Sequence, residues 1–313
     1  NTGTNEPFKQ RVRVVPYHLR EFVDKEIDGL LAAGLIERGT PGDCPYASAI
    51  VVVSKKDGSH RMCVDYRQLN QQTVKDSYPL PRMDEILVRL NRAKYFLSLD
   101  LLMGYHQIDV AASARVKTAF VTHKGLFYYN VMPFGLCNAP ATFQRLMDEL
   151  FEGKLSLDTL VYLDDILMFA ETINELLDIL ERNLTLLIDA GLKCKTRKCK
   201  LFLPKMVYLG FEISAQGIAP DPSKIEKVRD WPVPASGVQM LSFLGLCNYY
   251  RTLIPQYADK AAPLYEVVGE PTLKMTPELV AAFNTLKSSL CETSFLRIPD
   301  PTARFLLETD ASQ

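Results

Sequence analysis

Hydrophobic positions recur every three or four residues near the start of the chain, and this period predicts an amphipathic helix from Tyr17 to Ala33. Pro16 fits the first turn of that helix, and Gly34 can end it. The face that we expect to be buried is formed by Leu19, Phe22, Val23, Ile27, Leu30 and Leu31.

The pattern then changes to that of strands joined by a tight turn. Ala49–Lys56 and Arg61–Tyr66 flank Asp57-Gly58, a dipeptide that strongly favours a two-residue hairpin turn. A short helix is predicted after Pro81, and its apolar face is formed by Met83, Ile86, Leu87 and Leu90.

The middle of the chain predicts elements in the order β-α-β-β-α-β, the ferredoxin-like split βαβ arrangement of an α+β protein. Thr172 and Glu175 form a capping box that opens the second helix, which runs to about Ala190 and which Gly191 can end. The last strand begins after Lys193. The other predicted elements are strand Tyr95–Leu101, a β-rich insertion at Thr118–Met132, helix Ala141–Phe151, and strands Thr159–Leu163 and Ile166–Phe169.

A domain boundary is predicted near residue 220, because prolines cluster at positions 220, 222, 232 and 234. Met240–Tyr265 then has a helical pattern, and a second boundary falls near Gly269-Glu270-Pro271. Another short helix and a final strand, RFLLETD, are expected beyond it.

Charge and cysteine content add limits to this picture. The net charge of −1 and the pI of about 6.5 argue against a nucleic-acid partner, since phosphates are neutralised by Lys and Arg. Lys193 to Lys205 nevertheless holds six basic residues and no acidic one, a run that by itself is more typical of a solvated surface. The seven scattered cysteines indicate free thiols in a reducing, intracellular setting, and the Cys194/Cys199 pair lacks the spacing of a zinc site. No segment approaches the roughly 18 apolar residues of a membrane helix.

Three aspartates are expected at one edge of the predicted sheet. In a split βαβ fold the third strand lies between the first and second, so the end of strand one, with Asp100, sits beside the turn holding Asp164 and Asp165. Like charges this close need a raised pKa or bound cations, and carboxylate oxygens suit Mg²⁺. Two such ions would support in-line phosphoryl transfer. Taken singly, each aspartate could merely end a strand or form a turn, but their shared edge favours chemistry.

Several segments resemble the motifs of reverse transcriptases in the order in which those enzymes carry them, over nearly the whole chain. Tyr162-Leu163-Asp164-Asp165 resembles the YxDD box, and the sequences of the motifs are most similar to those of gypsy-type LTR retrotransposons. The other similar segments are motif A at Phe96–Ile108, motif B at Val131–Asp148, the fingers hairpin at Ser54–Asn70 and the primer grip at Met206–Ser214.

The resemblance implies a right-hand polymerase and roles for individual residues. Fingers and palm would span residues 1–220, a helical thumb 221–268, and a linker with the first strand of an RNase H-like domain 269–313. Asp100, Asp164 and Asp165 would hold two Mg²⁺ ions, with the carbonyl of Leu101 as a further ligand, and Mn²⁺ also accepts such oxygen ligands. The nucleotide-binding residues would be Lys55, Arg61, Tyr105, Phe134 and Gly135.

The remaining implied roles concern the proton donor and the primer. Lys198 matches a lysine that protonates the leaving pyrophosphate, although a lysine in a basic run is usually surface charge. Tyr105 would exclude a ribose 2′-OH unless it is an ordinary core residue, and Gly135 would allow close backbone approach unless it only serves a turn. Primer and template would meet Tyr162, Tyr208, Leu209, Gly210, Asn248, Tyr249 and Tyr250, the last two of which could instead pack in the thumb core.

Two departures from the family pattern stand out. Leu102-Met103-Gly104 lacks the Ser that relatives commonly have before the Gly, and this touches no metal ligand. FLLETDAS resembles the first strand of an RNase H domain, with Asp310 as its first acid, but the other acids are missing, so RNase H activity is not expected from this chain.

The expected function is therefore an RNA- and DNA-directed DNA polymerase acting on primed template with dNTPs. Its polyprotein neighbours would include RNase H and integrase, and its location would be cytoplasmic, within virus-like particles. A catalytically silent nucleic-acid-binding fragment is the alternative from another class. An RNA-making palm polymerase is a third, against which Tyr105 speaks.

Overall fold

The computed structural model describes residues 1–40, 42, 44–55, 58–82, 85, 89–90, 92–151, 158–293, 295–298 and 304. The chain forms two compact units. The first contains Asn1–Pro81, Ser98–Ile166 and Glu181–Cys199, and the second contains Arg82–Leu97, Leu167–Leu180 and Lys200–Gln313. The predicted domain boundaries at residues 220 and 268 stay predictions.

The strands in the described residues are β1 (Ile36–Arg38), β2 (Ser48–Ser54), β3 (His60–Val64), β4 (Tyr95–Asp100), β5 (Phe120–Thr122), β6 (Gly125–Tyr129), β7 (Thr159–Tyr162), β8 (Asp165–Ala170), β9 (Lys200–Leu203), β10 (Lys205–Tyr208), β11 (Phe211–Ser214) and β12 (Gly217–Pro220). The helices are α1 (Tyr17–Ala32), α2 (Arg67–Gln72), α3 (Ala112–Arg115), α4 (Ala139–Phe151), α5 (Ile173–Asp189), α6 (Pro222–Arg229), α7 (Gly237–Tyr249), α8 (Tyr257–Tyr265) and α9 (Pro277–Cys291).

Helix α1 and a five-stranded sheet form the core of the first unit. The sheet has the order β1-β6-β5-β2-β3. Val23 and Ile27 of α1 are fully buried in a cluster with Phe120 and Phe127 of the sheet, which explains the apolar period of the helix. Gly34 adopts φ +68 just after the helix, so the predicted start and end of α1 are confirmed to within one residue.

The predicted hairpin forms between β2 and β3. The two strands pair antiparallel, with Val53 opposite Arg61. Gly58 has φ +78, a conformation that favours glycine, whereas Lys56 and Asp57 of the turn lie outside the described residues. Most of the predicted helix after Pro81 also lies outside them.

The second sheet confirms the ferredoxin-like order. Its strands run β7-β8-β4-β9, so the third strand of the motif lies between the first and the second, as predicted. The capping box of α5 is also confirmed. The Thr172 amide donates to the Glu175 carboxylate (3.1 Å), and the Glu175 amide donates to the Thr172 hydroxyl (3.3 Å).

The second unit contains the three-stranded sheet β10-β11-β12 and helices α6 to α9. The predicted helical segment Met240–Tyr265 forms two α-helices with a break between them, because α7 ends at Tyr249 and α8 begins at Tyr257. Pro255 lacks an N–H and disfavours helical geometry at the residue before it, and Ile254 is indeed extended (φ −107, ψ 109). The ring centroids of Phe243 and Phe283 lie 4.6 Å apart in the core between α7 and α9.

Beyond residue 298 the structure describes only Arg304. The predicted final strand, including Asp310, lies outside the described residues except for Arg304. In the part of the chain that the structure describes, no helix is both long enough and apolar enough to span a membrane.

Candidate active site

The Asp164-Asp165 pair lies in a tight turn between β7 and β8, beside the end of β4. Leu163, just before the pair, adopts the left-handed conformation with φ +54, which is uncommon for a residue with a Cβ atom. The Leu101 amide donates to the Asp164 carbonyl at 3.4 Å. The backbone following Asp100 therefore touches the turn carrying the other two aspartates.

Glycine at position 104 allows the chain after Asp100 to fold tightly over this turn. Gly104 is buried, and a methyl group there would lie 3.2 Å from Cβ of Asp164 and 3.1 Å from Cζ of Phe143. Both distances are shorter than ordinary van der Waals contact. The preceding Met103 has φ +49, so this departure from the family pattern occupies a left-handed position.

A backbone bridge brings Lys198 to the site. The Leu102 amide donates to the Lys193 carbonyl, and the Lys195 amide donates to the Asp100 carbonyl, both at 2.8 Å. Lys198 Nζ then lies 2.9 Å from Oδ2 of Asp100. The side chain of Lys198 is 58% exposed and that of Asp100 is 21% exposed, so the ion pair faces solvent.

The charge of Lys198 is reinforced by its surroundings. The hydrogen bond to Asp100 raises the pKa of the Lys198 ammonium, burial opposes this with a smaller effect than the hydrogen bond, and the negative charges of Asp100, Asp164 and Asp165 raise the pKa further. The ammonium therefore stays protonated at neutral pH beside all three acids.

The three carboxylates share one edge of the sheet but are not clustered as the ligands of one metal ion. Across the described part of the chain, no group of three or more His, Cys, Asp or Glu side chains is arranged to hold a metal ion. The Lys198 ammonium contacts the Asp100 carboxylate. The donors still fit Mg²⁺, which takes one or two carboxylates and completes its shell with water and substrate phosphates.

Two predicted nucleotide-binding residues pack together next to the turn. The ring centroid of Tyr105 lies 5.1 Å from that of Phe134 and 5.6 Å from that of Phe143. Burial raises the pKa of the Tyr105 hydroxyl, and the charge of Asp164 raises it further. Phe134 is 52% exposed, so this pair of rings forms a partly open aromatic surface beside the acids.

The backbone conformation at position 135, rather than a lack of space for a side chain, explains why glycine occurs there. Its φ of +93 is a conformation that L residues rarely adopt, whereas an added methyl would make only ordinary contacts with Tyr66 and Val64. The turn interpretation accounts for this glycine, and close approach to a nucleotide stays a prediction.

The two predicted phosphate-binding residues lie on the fingers hairpin. Lys55 and Arg61 are both exposed. Neither forms an ion pair with a carboxylate among the residues that the structure describes. Two exposed cationic side chains on this hairpin fit a phosphate-binding role, which stays a prediction.

The predicted primer-grip residues form a left-handed turn in the second unit. Leu209 has φ +46 and Gly210 has φ +80 between β10 and β11. The hydroxyl of Tyr249 donates to the Leu209 carbonyl, and that of Tyr250 donates to the Gly210 carbonyl at 2.7 Å. Two consecutive tyrosines of the thumb thus hold the backbone of this turn.

Burial decides which primer-grip and thumb residues face solvent. Tyr250 is 1% exposed and Tyr208 is 4% exposed, so both rings are buried. The Tyr250 ring packs against Phe211, as the alternative of thumb core packing expects, and contact of either tyrosine with primer or template stays a prediction. Tyr249 is 43% exposed and Asn248 is exposed, so both remain open to a ligand. Tyr162 of the YxDD box is half-buried.

The sequence motifs did not single out two residues that shape the site. Gln107 bridges the segments carrying Asp100 and Lys198, because its amide bonds to backbone groups of both Leu102 and Lys193. Gln144 is fully buried and accepts a hydrogen bond from the Leu163 amide at 2.8 Å. A glutamine on the apolar face of a helix was the signal that could have identified Gln144.

A ferredoxin-like sheet with one aspartate at the end of its first strand and two in the turn between its second and third defines a palm-type polymerase fold. The family model described as reverse transcriptase (RNA-dependent DNA polymerase) matches residues 53–213, about half of the chain. The chain belongs to this family.

Curated relatives support the resemblance to gypsy-type elements. The retrovirus-related Pol polyprotein from transposon 297 of Drosophila melanogaster is 39% identical over 320 residues, covering 100% of this chain and 30% of that protein. The corresponding polyprotein from transposon gypsy is 34% identical over 330 residues, covering 99% of this chain and 32% of that protein. This chain therefore spans about a third of the length of these relatives.

Solved structures show the same fold. The foamy viral protease-reverse transcriptase dRH in complex with double-stranded DNA matches with a TM-score of 0.87 at 27% identity, over 96% of this chain and 52% of that chain. The foamy viral protease-reverse transcriptase in complex with an RNA/DNA hybrid matches with a TM-score of 0.82 at 27% identity, over 95% of this chain and 40% of that chain. The predicted right-hand polymerase fold is confirmed.

Proposed function

We propose that this chain is an RNA- and DNA-directed DNA polymerase that adds deoxynucleotides to a primer 3′-OH and releases pyrophosphate. The observation that carries the proposal is the contact between the end of β4, with Asp100, and the strained turn holding Asp164 and Asp165. Family membership supports it. The two foamy viral neighbours bound to double-stranded DNA and to an RNA/DNA hybrid are consistent with a duplex substrate.

The proposed metal ligands are the carboxylates of Asp100, Asp164 and Asp165 and the backbone carbonyl of Leu101. Two divalent ions bound there would stabilise the charge on the attacking and leaving oxygens of an in-line displacement. The protein's own contribution is to present these oxygens on a sheet edge and a backbone-held turn, so that they need little rearrangement when substrate arrives.

Lys198 has the properties of a proton donor for the leaving pyrophosphate. Its ammonium lies 2.9 Å from Asp100, and its side chain is more than half exposed on a flexible four-carbon stem that can change partners. In the proposed cycle its ammonium leaves Asp100 when substrate and cations bind and donates to the departing phosphate oxygen. The other basic residues of its run are exposed and would contact template or primer phosphates.

Selection of deoxynucleotides would rest on the aromatic surface. The Tyr105 ring is packed between Phe134 and Phe143, so it cannot easily move aside for a ribose 2′-OH. Arg61 and Lys55 would hold the triphosphate, the guanidinium as a fork and the ammonium as a point charge.

The experiment that tests this function is extension of a labelled DNA primer on an RNA template with dNTPs and Mg²⁺. We expect extension by the wild type, and a loss of at least about 100-fold in Asp164→Ala, because a charge-stabilising group is removed from the reaction centre. Asp189→Asn, a change of an exposed aspartate at the end of α5, is the matched control and should keep full activity.

A silent nucleic-acid-binding fragment is the second candidate, and the same assay separates it from a polymerase. Binding of primer-template without extension by the wild type would support this alternative. In either case the long relatives lead us to propose RNase H and integrase segments as polyprotein neighbours, and a particle-associated location in the cytoplasm.

A further inference from the structure

Gln144 is a fully buried amide in a helix whose other inward positions are mainly apolar. It is 0% exposed, like its neighbours Phe143, Met147 and Phe151 on α4. A buried amide without hydrogen bonds is destabilising, so its retention at such a position demands specific partners. These partners lie at the catalytic turn.

The hydrogen bonds of Gln144 connect the helix to that turn. Its Oε1 accepts from the Leu163 amide at 2.8 Å, and its Nε2 donates to Oδ1 of Asp148 at 2.9 Å and to the Val161 carbonyl at 3.4 Å. The side chain therefore satisfies both its acceptor and its donor within the strand-turn segment and its own helix.

Asp148 decides which way the amide points. A carboxylate can only accept from Nε2, so the carbonyl end of Gln144 is left to face the Leu163 N–H. The hydroxyl of Tyr78 donates to the other carboxylate oxygen of Asp148 at 2.6 Å, and this bond raises the pKa of Tyr78. Tyr78, Asp148 and Gln144 form one chain of hydrogen bonds that ends on the catalytic turn.

The residue that receives this support is the strained one. Leu163 has φ +54, a left-handed conformation that is unfavourable for a residue with a Cβ atom and persists where its surroundings hold it. Leu163 directly precedes Asp164. A relaxed Leu163 would redirect the peptide that places the Asp164 side chain.

We propose that Gln144, oriented by Asp148 and Tyr78, is a positioning residue that holds the Leu163 turn in its left-handed form and so sets where the Asp164 carboxylate stands. The proposal rests on the function proposed above, because it assigns Asp164 to the reaction centre. It makes Gln144 a determinant of turnover that contacts neither nucleotide nor primer.

The variants are chosen to separate positioning from stability. Gln144→Met keeps the length of the side chain but removes all three of its hydrogen bonds, and Asp148→Asn keeps an oxygen that can accept from Nε2. The matched control is Asn183→Leu, which removes another buried amide of the same unit. Asn183 is 1% exposed and donates to Thr159 Oγ1 at 2.9 Å, at the start of β7 and away from the turn.

The first readout is hydrogen exchange at the Leu163 amide, followed by NMR on leucine-labelled protein. A hydrogen bond contributing about 1 kcal/mol corresponds to roughly 5-fold protection, so Gln144→Met should exchange at least about 5-fold faster at this amide. Asn183→Leu and Asp148→Asn should leave its exchange near that of the wild type. Unchanged exchange in Gln144→Met overturns the proposal, whatever the activity.

The second readout is steady-state primer extension. A misplaced reacting group costs up to about 100-fold in rate, so Gln144→Met should lower kcat by about 10- to 100-fold with the KM for dNTP and the Kd for primer-template unchanged. Asp148→Asn should retain most of the turnover. An equal loss of kcat in Asn183→Leu would show that lost stability alone explains the effect, and would overturn the proposal.

Failure of the proposed function is distinguishable from failure of this inference. Absence of extension by the wild type rejects the polymerase, and with it the role of Gln144 in turnover. The exchange rate of the Leu163 amide is measured without substrate, so it separately decides whether Gln144 holds the turn.

Discussion

Replacing Gly104 by alanine tests how tightly the chain after Asp100 packs on the catalytic turn. The new methyl would lie 3.2 Å from Cβ of Asp164 and 3.1 Å from Cζ of Phe143, where ordinary contact begins at 3.4 Å. Phe143 is fully buried and packs against Tyr105, so it cannot readily retreat. We therefore expect Asp164 to move.

The size of the effect follows from that geometry. A displacement of Asp164 by about 0.25 to 0.5 Å, scaled from roughly 100-fold per 1 Å, would lower the rate of nucleotide addition about 3- to 10-fold. Overpacking costs about 1–3 kcal/mol, of which the loss of glycine flexibility in the unfolded chain offsets about 0.4–1 kcal/mol. A net loss in the free energy of unfolding of about 0–2.6 kcal/mol is expected.

Single-turnover primer extension at saturating dNTP measures the rate, and urea unfolding measures the stability. Gly29→Ala is the matched control, because Gly29 is an exposed residue of α1 with nothing within 4 Å of an added methyl. The free energy of unfolding of this variant should rise by about 0.5–1 kcal/mol, and its rate of nucleotide addition should equal that of the wild type. Wild-type rate and stability in Gly104→Ala would refute the reasoning, since the contact would then be too loose to position Asp164.

Three further changes test other parts of the molecule. Hydrogen bonds from Arg67 lower the pKa of Asp65, so the contribution of this carboxylate to stability is complete at neutral pH and declines as the pH falls below the ordinary aspartate pKa of about 4. The melting temperature of Asp65→Asn should therefore depend less on pH between about pH 3 and pH 7 than that of the wild type. Equal pH dependence of the two proteins would contradict this. Tyr250→Phe removes the bond to the Gly210 carbonyl and should cost about 1 kcal/mol in urea unfolding and slow extension of a bound primer, whereas unchanged values would show that the turn needs no such support. Tyr105→Ala should raise the ratio of ribonucleotide to deoxynucleotide kcat/KM by about 10- to 200-fold, and an unaltered ratio would remove Tyr105 from sugar selection.

The sequence predicted those features that depend on local patterns. The α1 period, the capping box of Thr172 and Glu175, and the strand order follow from neighbours within a few residues and from a standard topology. The same topology placed Asp100 beside the Asp164 turn, because strand ends in that fold have fixed neighbours.

Features that depend on tertiary packing were not predictable in this way. The burial of Tyr250 depends on the fit of α7 against the primer-grip turn, and its sequence position is equally compatible with a surface residue. The break before Tyr257 had a local cause in Pro255, but the apolar pattern on either side masked it. Gln144 stands out in the sequence as a polar residue on an apolar helix face, but its role depends on a partner, the Leu163 amide, that lies 19 residues away.

The catalytic turn is supported from two sides by different kinds of interaction. On the buried side, Gln144 holds the Leu163 backbone through a bond that does not depend on substrate. On the solvent side, the Lys198 side chain, 58% exposed, contacts the Asp100 carboxylate, 21% exposed, in an ion pair that solvent screens from the lysine side. Because solvent reaches the lysine side of this pair, we expect the ammonium to give way to a phosphate while the turn keeps its shape. In the function proposed above, the strained turn and the exchangeable ammonium would together hold the three aspartates in place before a divalent cation binds.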